Sequence, residues 1–220
     1  MCYTQSRFKA LISACVMSLI ATAGWSQSLT WLGTLGGSES YAYAVSANGV
    51  VVGSAVNAAS WSRAFRWTAS GGMQDLGHLG GYYSEAYGVS ADGSVVVGWA
   101  RSAAWRDRAF RWTELGGMQD LGTLPGGIHS VARGVSADGA VVVGSATNAE
   151  GHRRAFRWTA GGGMQDLGTL GGNRSVAYGV SADGAVVVGW AENAAGQRRA
   201  FRWTASGGMQ DLGTLGGNES

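Results

Sequence analysis

AFRWT, at residues 64–68, decides how this chain is organised, because the same five residues return at 109–113, 155–159 and 200–204. The spacings between these copies are 45, 46 and 45 residues. Three further phrases keep the same step, namely [AG]VSA[ND]G, VVVG and GGMQDLG. Self-similarity at a fixed period of this length indicates a repeat protein in which each repeat is one supersecondary unit.

Each repeat contains four short strand candidates, which we call a to d. In the fourth repeat they read AYGVS, VVVGWA, RAFRWT and MQDLG. Strand b is a valine run suited to burial on both faces, and the Asp-Gly and Gly-Gly turns between strands are typical of hairpins. Four strands per 45 residues predict an all-β fold, a β-propeller-like array of four-stranded antiparallel blades.

We place the blades at approximately 41–77, 86–122, 132–168 and 177–213, within a repeat domain of residues 24–220. Residues 29–33 (LTWLG) match strand d but have no a, b and c of their own, so we predict an unpaired strand there. In a closed propeller that strand would pair with a terminal a-b-c set, and none follows Ser220. The expected product is an open or incomplete ring that lacks at least one three-strand set.

The connections between strands differ in how much they vary. In an antiparallel meander the a–b and c–d turns share one edge of the blade, and these turns have nearly the same sequence in every repeat. The b–c and d–a loops share the opposite edge, which we call the variable edge. Four aromatic residues fall in those loops without a strand pattern to explain them, so they are our candidate ligand-binding residues, with a glycan or a peptide as the ligand: Trp61, Tyr82, Tyr83 and Trp105.

A second recurring set is charged. If the c–d turn has four residues, an arginine of strand c falls opposite an aspartate of strand d in every repeat. We therefore predict structural ion pairs worth about 0.2 to 1 kcal/mol each: Arg66 with Asp75, Arg111 with Asp120, Arg157 with Asp166 and Arg202 with Asp211.

In strand b, small and large side chains alternate between repeats, and we expect them to interdigitate in the core: Ser54, Trp99, Ser145 and Trp190.

The first 23 residues differ from the repeats. Arg7 and Lys9 precede an apolar run that ends in Ala21-Thr22-Ala23, the pattern of a secretory signal peptide cleaved after Ala23. Ile12-Ser13-Ala14-Cys15 also mimics a lipoprotein acylation site, but it lies only about five apolar residues after Lys9. We expect a secreted or cell-surface protein whose mature chain has no membrane span and no cysteine, and whose stability comes from packing.

Other classes of site find little support. The expected mature chain has 14 arginines and 14 acidic residues, a balance that argues against nucleic acid as a partner. The three histidines occupy three different repeat positions, without metal-ligand spacing, and the Gly-rich strings lie in turns, not between a strand and a helix. We expect a non-enzymatic binding or structural module of unknown ligand, with no catalytic residue, no metal and no cofactor. The alternative is a propeller-type carbohydrate-active enzyme or lectin. An enzyme would draw its carboxylate pair from the acidic residues of the variable edge: Glu39, Glu85, Asp107, Glu150 and Glu192.

The AFRW, DLGTLGG and VSADG phrases resemble the bacterial extracellular repeats of the HAF family, from Leu29 to the end of the chain. The family is named after a His-Ala-Phe motif, and here the histidine position holds arginine: Arg63, Arg108, Arg154 and Arg199. Any role of that histidine therefore cannot be carried over. The resemblance implies an exported protein, either free or part of a longer surface-anchored or autotransporter chain, and it implies no particular activity.

Overall fold

Four antiparallel sheets, numbered 1 to 4 in chain order, are formed in the computed structural model, which describes residues 29–217. Sheet 1 contains β1 Gly36–Val45, β2 Val51–Asn57, β3 Ser62–Thr68 and β4 Gly72–Asp75. Sheet 2 contains β5 Gly80–Val89, β6 Val95–Ser102, β7 Asp107–Thr113 and β8 Gly117–Asp120. Sheet 3 contains β9 Ser130–Val135, β10 Val142–Thr147, β11 Arg153–Thr159 and β12 Gly163–Asp166. Sheet 4 contains β13 Gly171–Val180, β14 Val186–Asn193, β15 Arg198–Thr204 and β16 Gly208–Asp211.

Each repeat folds as a simple meander, in which every strand pairs with its neighbour along the chain. The prediction of four-stranded antiparallel blades is therefore confirmed. This order also places the b–c and d–a connections on one edge, because successive antiparallel strands reverse direction. All sixteen strands belong to the compact unit that begins at Leu32. The predicted signal peptide and its cleavage site lie outside the described residues.

The first strand of a sheet is longer than its sequence pattern suggests. β1, β5 and β13 have ten residues each, because the residues predicted as the d–a loop continue the strand through register shifts. A second register shift, between Ala86 and Gly88, lies opposite Gly98, where a Cβ would collide with the carbonyl oxygen of Glu85. β9 has six residues, because its repeat inserts Pro125, which has no N–H to donate to a ladder.

Residues 29–33 make no ladder hydrogen bonds, since hydrogen-bonded β structure in the described chain begins at the bridge between Leu35 and Asn57. The unpaired strand there therefore stays a prediction. One local prediction is wrong: the c–d register is shifted by one residue, so that Asp75 lies opposite Phe65 and Gln74 lies opposite Arg66.

The turn explains the shifted register. Strand c ends at Thr68 and strand d begins at Gly72, so the turn has three residues and not four. Gly72, the first residue after the turn, has a φ of 66°, a conformation that glycine adopts without steric cost. The same shift applies in the other sheets, so none of the four predicted Arg–Asp pairs is formed as predicted.

The aspartates of strand d bind a different arginine in three sheets. In the described chain the ion pairs of these aspartates join Arg108 to Asp120, Arg154 to Asp166 and Arg199 to Asp211. These arginines directly precede the Ala-Phe-Arg-Trp phrase of their repeats and lie diagonally across the c–d pair. The strand c arginine that we had paired with aspartate instead reaches the next sheet, where Arg66 Nε donates to the carbonyl of Gly93 and Arg111 Nε donates to that of Gly139.

Three hydrophobic clusters lie between successive sheets, and each combines valines of one sheet with a phenylalanine and a tryptophan of the next. In the described residues no fourth cluster joins sheet 4 to sheet 1. Val188 is 43% exposed and Leu212 is 59% exposed, whereas their counterparts in the first three sheets are buried. Sheets 1 and 4 thus each leave one face uncovered, as an incomplete ring requires.

A buried serine connects neighbouring sheets on the variable edge. Ser84 of β5 accepts a hydrogen bond from the amide of Ala64 in β3 and donates one to the carbonyl of Gly77. Ser130 and Ser175 make the same bonds at the next two interfaces. These serines hold β5, β9 and β13, the first strands of sheets 2 to 4, against the preceding sheet. They therefore also hold in place the neighbouring side chains on the variable edge.

Candidate functional site

The b–c turns of the variable edge share one backbone conformation. Each has the same length, and its first residue accepts hydrogen bonds from amides further along the turn, as Asn57 Oδ1 does from Ala59 and Trp61 at 3.0 Å. The fourth position of every turn has a positive φ. Gly151 and Gly196 fill that position in the last two repeats, but Ser60 and Trp105 fill it in the first two.

Trp105 is held in a conformation that its side chain disfavours. Its φ is 57°, in the left-handed region where non-glycine residues are uncommon and a bulky residue is an outlier. Backbone strain of this kind persists only where the surrounding structure imposes it, and it clusters at binding and active sites. Trp105 is nevertheless 60% exposed, so burial in the core does not account for its presence.

The four predicted aromatic residues come together into one cluster. The Trp61 and Tyr82 rings stack with centroids 4.6 Å apart and planes inclined by 17°. Tyr83 meets Trp61 edge-on at 5.3 Å, and Trp105 meets Tyr82 edge-on at 6.0 Å. We call Trp61, Tyr82, Tyr83 and Trp105 the aromatic cluster. It bridges sheets 1 and 2, because Trp61 comes from the b–c turn of sheet 1 and the other three from sheet 2.

The structure changes where two of these residues lie. Tyr82 and Tyr83 were expected in a loop, but both belong to β5, which starts at Gly80. A strand alternates its side chains between two faces, which lets Tyr82 and Tyr83 meet Trp61 in different geometries. Because two members stand on a paired strand and two on hydrogen-bonded turns, the cluster is a rigid surface and not a flexible loop.

A polar rim adjoins the aromatic rings. Arg101 places its guanidinium carbon 5.5 Å above the Tyr83 ring and 5.7 Å above that of Trp99. The same guanidinium donates two hydrogen bonds to Asp107 Oδ1, at 2.8 and 3.0 Å. Sequence reasoning missed Arg101, because nothing in its position at the end of β6 distinguishes it from an ordinary surface charge.

The candidate catalytic carboxylates are already engaged by other side chains. Asp107 is bound by Arg101, and Glu85 accepts a hydrogen bond from the Tyr87 hydroxyl at 2.7 Å. Burial, followed by this bond to Glu85, raises the pKa of Tyr87 to about 12. Within residues 29–217 no group of three or more His, Cys, Asp or Glu side chains is placed to hold a metal ion. The histidines lie apart, with His78 Nδ1 accepting from Gly80 and His129 Nδ1 accepting from Asp107.

The strand b tryptophans also differ from expectation. Trp99 and Trp190 are only partly buried, and each indole N–H donates at 3.2 Å to a tyrosine of the same sheet, Tyr87 and Tyr178 respectively. Neither tryptophan is fully buried, as a side chain of the core would be. Ser54 and Ser145, the small members of the series, are buried.

Comparison with known proteins identifies the fold. No protein-family model and no curated protein matches the sequence. TolB from Acinetobacter baumannii is similar in structure with a TM-score of 0.59 at 16% identity, over 83% of this chain and 45% of that one. The chain has a β-propeller fold. TolB from Agrobacterium tumefaciens gives 0.60 at 15% identity, over 80% and 61% of the two chains.

A structure of prolyl endopeptidases is a further match, with a TM-score of 0.51 at 14% identity over 76% of this chain and 27% of that one. At these identities the likeness concerns the fold alone. This propeller chain spans about half the length of the TolB structures that it matches. No helix in the described part of the propeller chain is long and apolar enough to cross a lipid bilayer.

Proposed function

We propose that this chain is a non-enzymatic, secreted or cell-surface binding module that holds its ligand on the aromatic cluster. The observation that carries the proposal is Trp105, a large side chain kept exposed at a strained backbone position where two other repeats use glycine. Ser60 shows that the turn also accepts a small side chain at this position, but a bulky tryptophan has no such local explanation. Contacts of its exposed ring with a ligand would explain it.

The chemistry of the aromatic cluster favours a ligand with a flat apolar face and polar edges. Trp and Tyr rings supply broad, rigid contact area, and their N–H and O–H groups supply hydrogen bonds at the border. Arg101 and Asp107 stand beside the rings as further donor and acceptor. A sugar ring of a glycan fits this combination, and so does the aromatic or proline side chain of a peptide.

Export is part of the proposal. It is supported by the signal-peptide pattern that ends at Ala23 and by the resemblance of the repeats to the HAF family. Expression of the full chain in a bacterial host tests it directly. We expect protein in the medium or the cell envelope with Gly24 as its first residue, and retention in the cytoplasm with an intact N-terminus would refute export.

Binding is tested with a glycan array and a peptide array probed by the purified protein, followed by titration of any hit against tryptophan fluorescence. Trp61→Ala and Tyr82→Ala should weaken binding by at least about tenfold, because stacked aromatic anchors in a binding site each contribute on the order of 2 kcal/mol. Leu115→Ala is the matched control, since Leu115 is fully exposed in a c–d turn on the opposite edge. A hit that loses as much affinity in Leu115→Ala as in Trp61→Ala would count against the site.

The competing function is glycoside hydrolysis, and a panel of chromogenic glycosides separates it from binding. We expect no turnover. Turnover that Glu85→Gln or Asp107→Asn abolishes would overturn the non-enzymatic proposal, because these changes remove the acid or base while leaving the size of the side chain unchanged.

A further inference from the structure

A second cleft on the variable edge lies between sheets 3 and 4 and differs in chemistry from the aromatic cluster. It has a volume of about 360 Å³ and is lined by Thr147, Gly151, Arg153, Arg174, Trp190 and Arg198. Three of these six residues are arginines, and no carboxylate is among them. The three come from different strands, with Arg153 in β11, Arg174 in β13 and Arg198 in β15.

The three arginines of the cleft stand at positions that other repeats fill with different residues. Arg153 and Arg198 occupy the position that holds Ser62 in the first repeat and Asp107 in the second. Arg174 precedes the bridging serine of its sheet, as Tyr83 does in sheet 2. The variable edge that carries the aromatic cluster between sheets 1 and 2 therefore carries a cationic cleft between sheets 3 and 4, and one repeat position, that of Tyr83 and Arg174, contributes to both.

The arginines of the cleft are not consumed by ion pairs within the described residues, where the paired arginines are Arg101, Arg108, Arg154 and Arg199. Glu192 lies opposite Arg198 in the ladder, but its carboxylate accepts a hydrogen bond from the amide of Asn173 at 3.4 Å. The cleft thus gathers three cationic groups without a bound carboxylate to balance them.

One wall of the cleft is fixed in place. The Arg198 guanidinium lies over the Trp190 ring, 4.6 Å from its centroid, and the indole N–H of Trp190 donates to the Tyr178 hydroxyl at 3.2 Å. Cation–π stacking of this kind orients a guanidinium while leaving its N–H groups free to donate. Arg198 is accordingly pre-oriented, which lowers the entropic cost of binding an anion.

We propose that this cleft binds an anionic ligand through a carboxylate or phosphate group held by Arg153, Arg174 and Arg198. The planar, forked guanidinium matches both kinds of oxyanion, and hydrogen bonds between charged partners are the stronger ones. The site is separate from the aromatic cluster, so it stands even if the aromatic cluster binds nothing.

Isothermal titration of the full chain with trigalacturonic acid and with inorganic phosphate tests the proposal and distinguishes the two oxyanions. We expect trigalacturonic acid or phosphate to bind, and the affinity to fall as salt is added. Arg174→Gln should weaken binding by at least about tenfold, as loss of a charged hydrogen-bond partner does. Arg153→Gln and Arg198→Gln should act in the same direction.

Arg106→Gln is the matched control, because Arg106 is an exposed arginine in the b–c turn of sheet 2 and does not line the cleft. It removes the same charge and should leave binding unchanged. Equal losses of affinity in Arg106→Gln and Arg174→Gln would show that only the net charge of the protein matters and would overturn the site. Failure of both anionic probes to bind, or binding of trigalacturonic acid that Trp61→Ala abolishes and Arg174→Gln leaves unchanged, would overturn it as well.

Discussion

Trp105 departs from the residue that two other repeats use at its position in the b–c turn, and we propose that ligand binding is the reason. Two repeats satisfy the left-handed position of the b–c turn with glycine, which adopts a positive φ without steric cost. Tryptophan at that position must be held there by its neighbours. The strained backbone lowers the free energy of unfolding, and it holds the tryptophan ring in an exposed position.

Replacing Trp105 by glycine and by alanine separates these two effects. Both changes remove the ring, but only glycine relieves the backbone, so Trp105→Gly should unfold at a higher temperature than Trp105→Ala, with a difference of about 1 kcal/mol in the free energy of unfolding. Thermal and urea unfolding followed by circular dichroism measure it. Equal stability of the two variants would mean that the turn is not strained at this position.

A second residue-scale prediction concerns acid stability. The hydroxyl of Ser90, then the amide and hydroxyl of Ser94, donate to Asp92 and lower its pKa to about 2 from its ordinary value of 3.8. Because the folded pKa is the lower one, this contribution to stability is present above the unfolded value and is lost as the pH falls from about 4 to about 2.

Asp92→Asn should remove that dependence without breaking the turn, since Asn48 fills the same position in sheet 1 and accepts from Ser46 in the same way. Melting temperatures recorded between about pH 2 and pH 6 should show a gap between the two proteins that narrows as the pH falls. A gap that stays constant over this range would contradict the assignment.

At the scale of strands, one residue of turn length decides which charges meet. The three-residue c–d turn brings Arg154 Nε to 3.2 Å from Asp166 Oδ2 and sets Arg157 opposite Gln165. A double-mutant cycle should therefore find a coupling of about 0.2 to 1 kcal/mol between Arg154 and Asp166. The cycle between Arg157 and Asp166 should give less than about 0.3 kcal/mol, and the reverse result would support the four-residue turn instead.

The c–d turn also shows which features of the fold could be predicted from the sequence and which could not. Periodicity predicts the number, order and direction of the strands, because each repeat carries its own valine run and hairpin turns. Register depends on whether Gly72 or Met73 pairs with Thr68, and hydrophobic patterning does not distinguish a three-residue from a four-residue glycine-rich turn. The aromatic cluster could be predicted because its members share one edge of adjacent repeats. The cationic cleft was missed, although Arg153 and Arg198 stand at a repeat position that holds aspartate elsewhere.

At the scale of the whole molecule, equivalent residues of different sheets are expected to contribute differently to the free energy of unfolding. Leu76 is 5% exposed between sheets 1 and 2, whereas its counterpart Leu212 in sheet 4 is 59% exposed. Leu76→Ala should lower the free energy of unfolding by about 2 to 5 kcal/mol. Leu212→Ala should lower it by less than about 1 kcal/mol, as surface substitutions do. Similar losses in urea unfolding would mean that a further contact covers sheet 4 in solution.

The central claim is that a symmetric scaffold carries function on turns that break its symmetry, and an exchange of turn residues tests it most directly. The b–c turns 57–62 and 193–198 have the same length, so Ser60-Trp61 can be replaced by the Gly-Gln of 196–197, and Trp105-Arg106 by the same pair. We predict that the exchanged protein melts at the same or a higher temperature and no longer binds the ligand found on the arrays. Retained binding by a folded exchange variant would contradict the account.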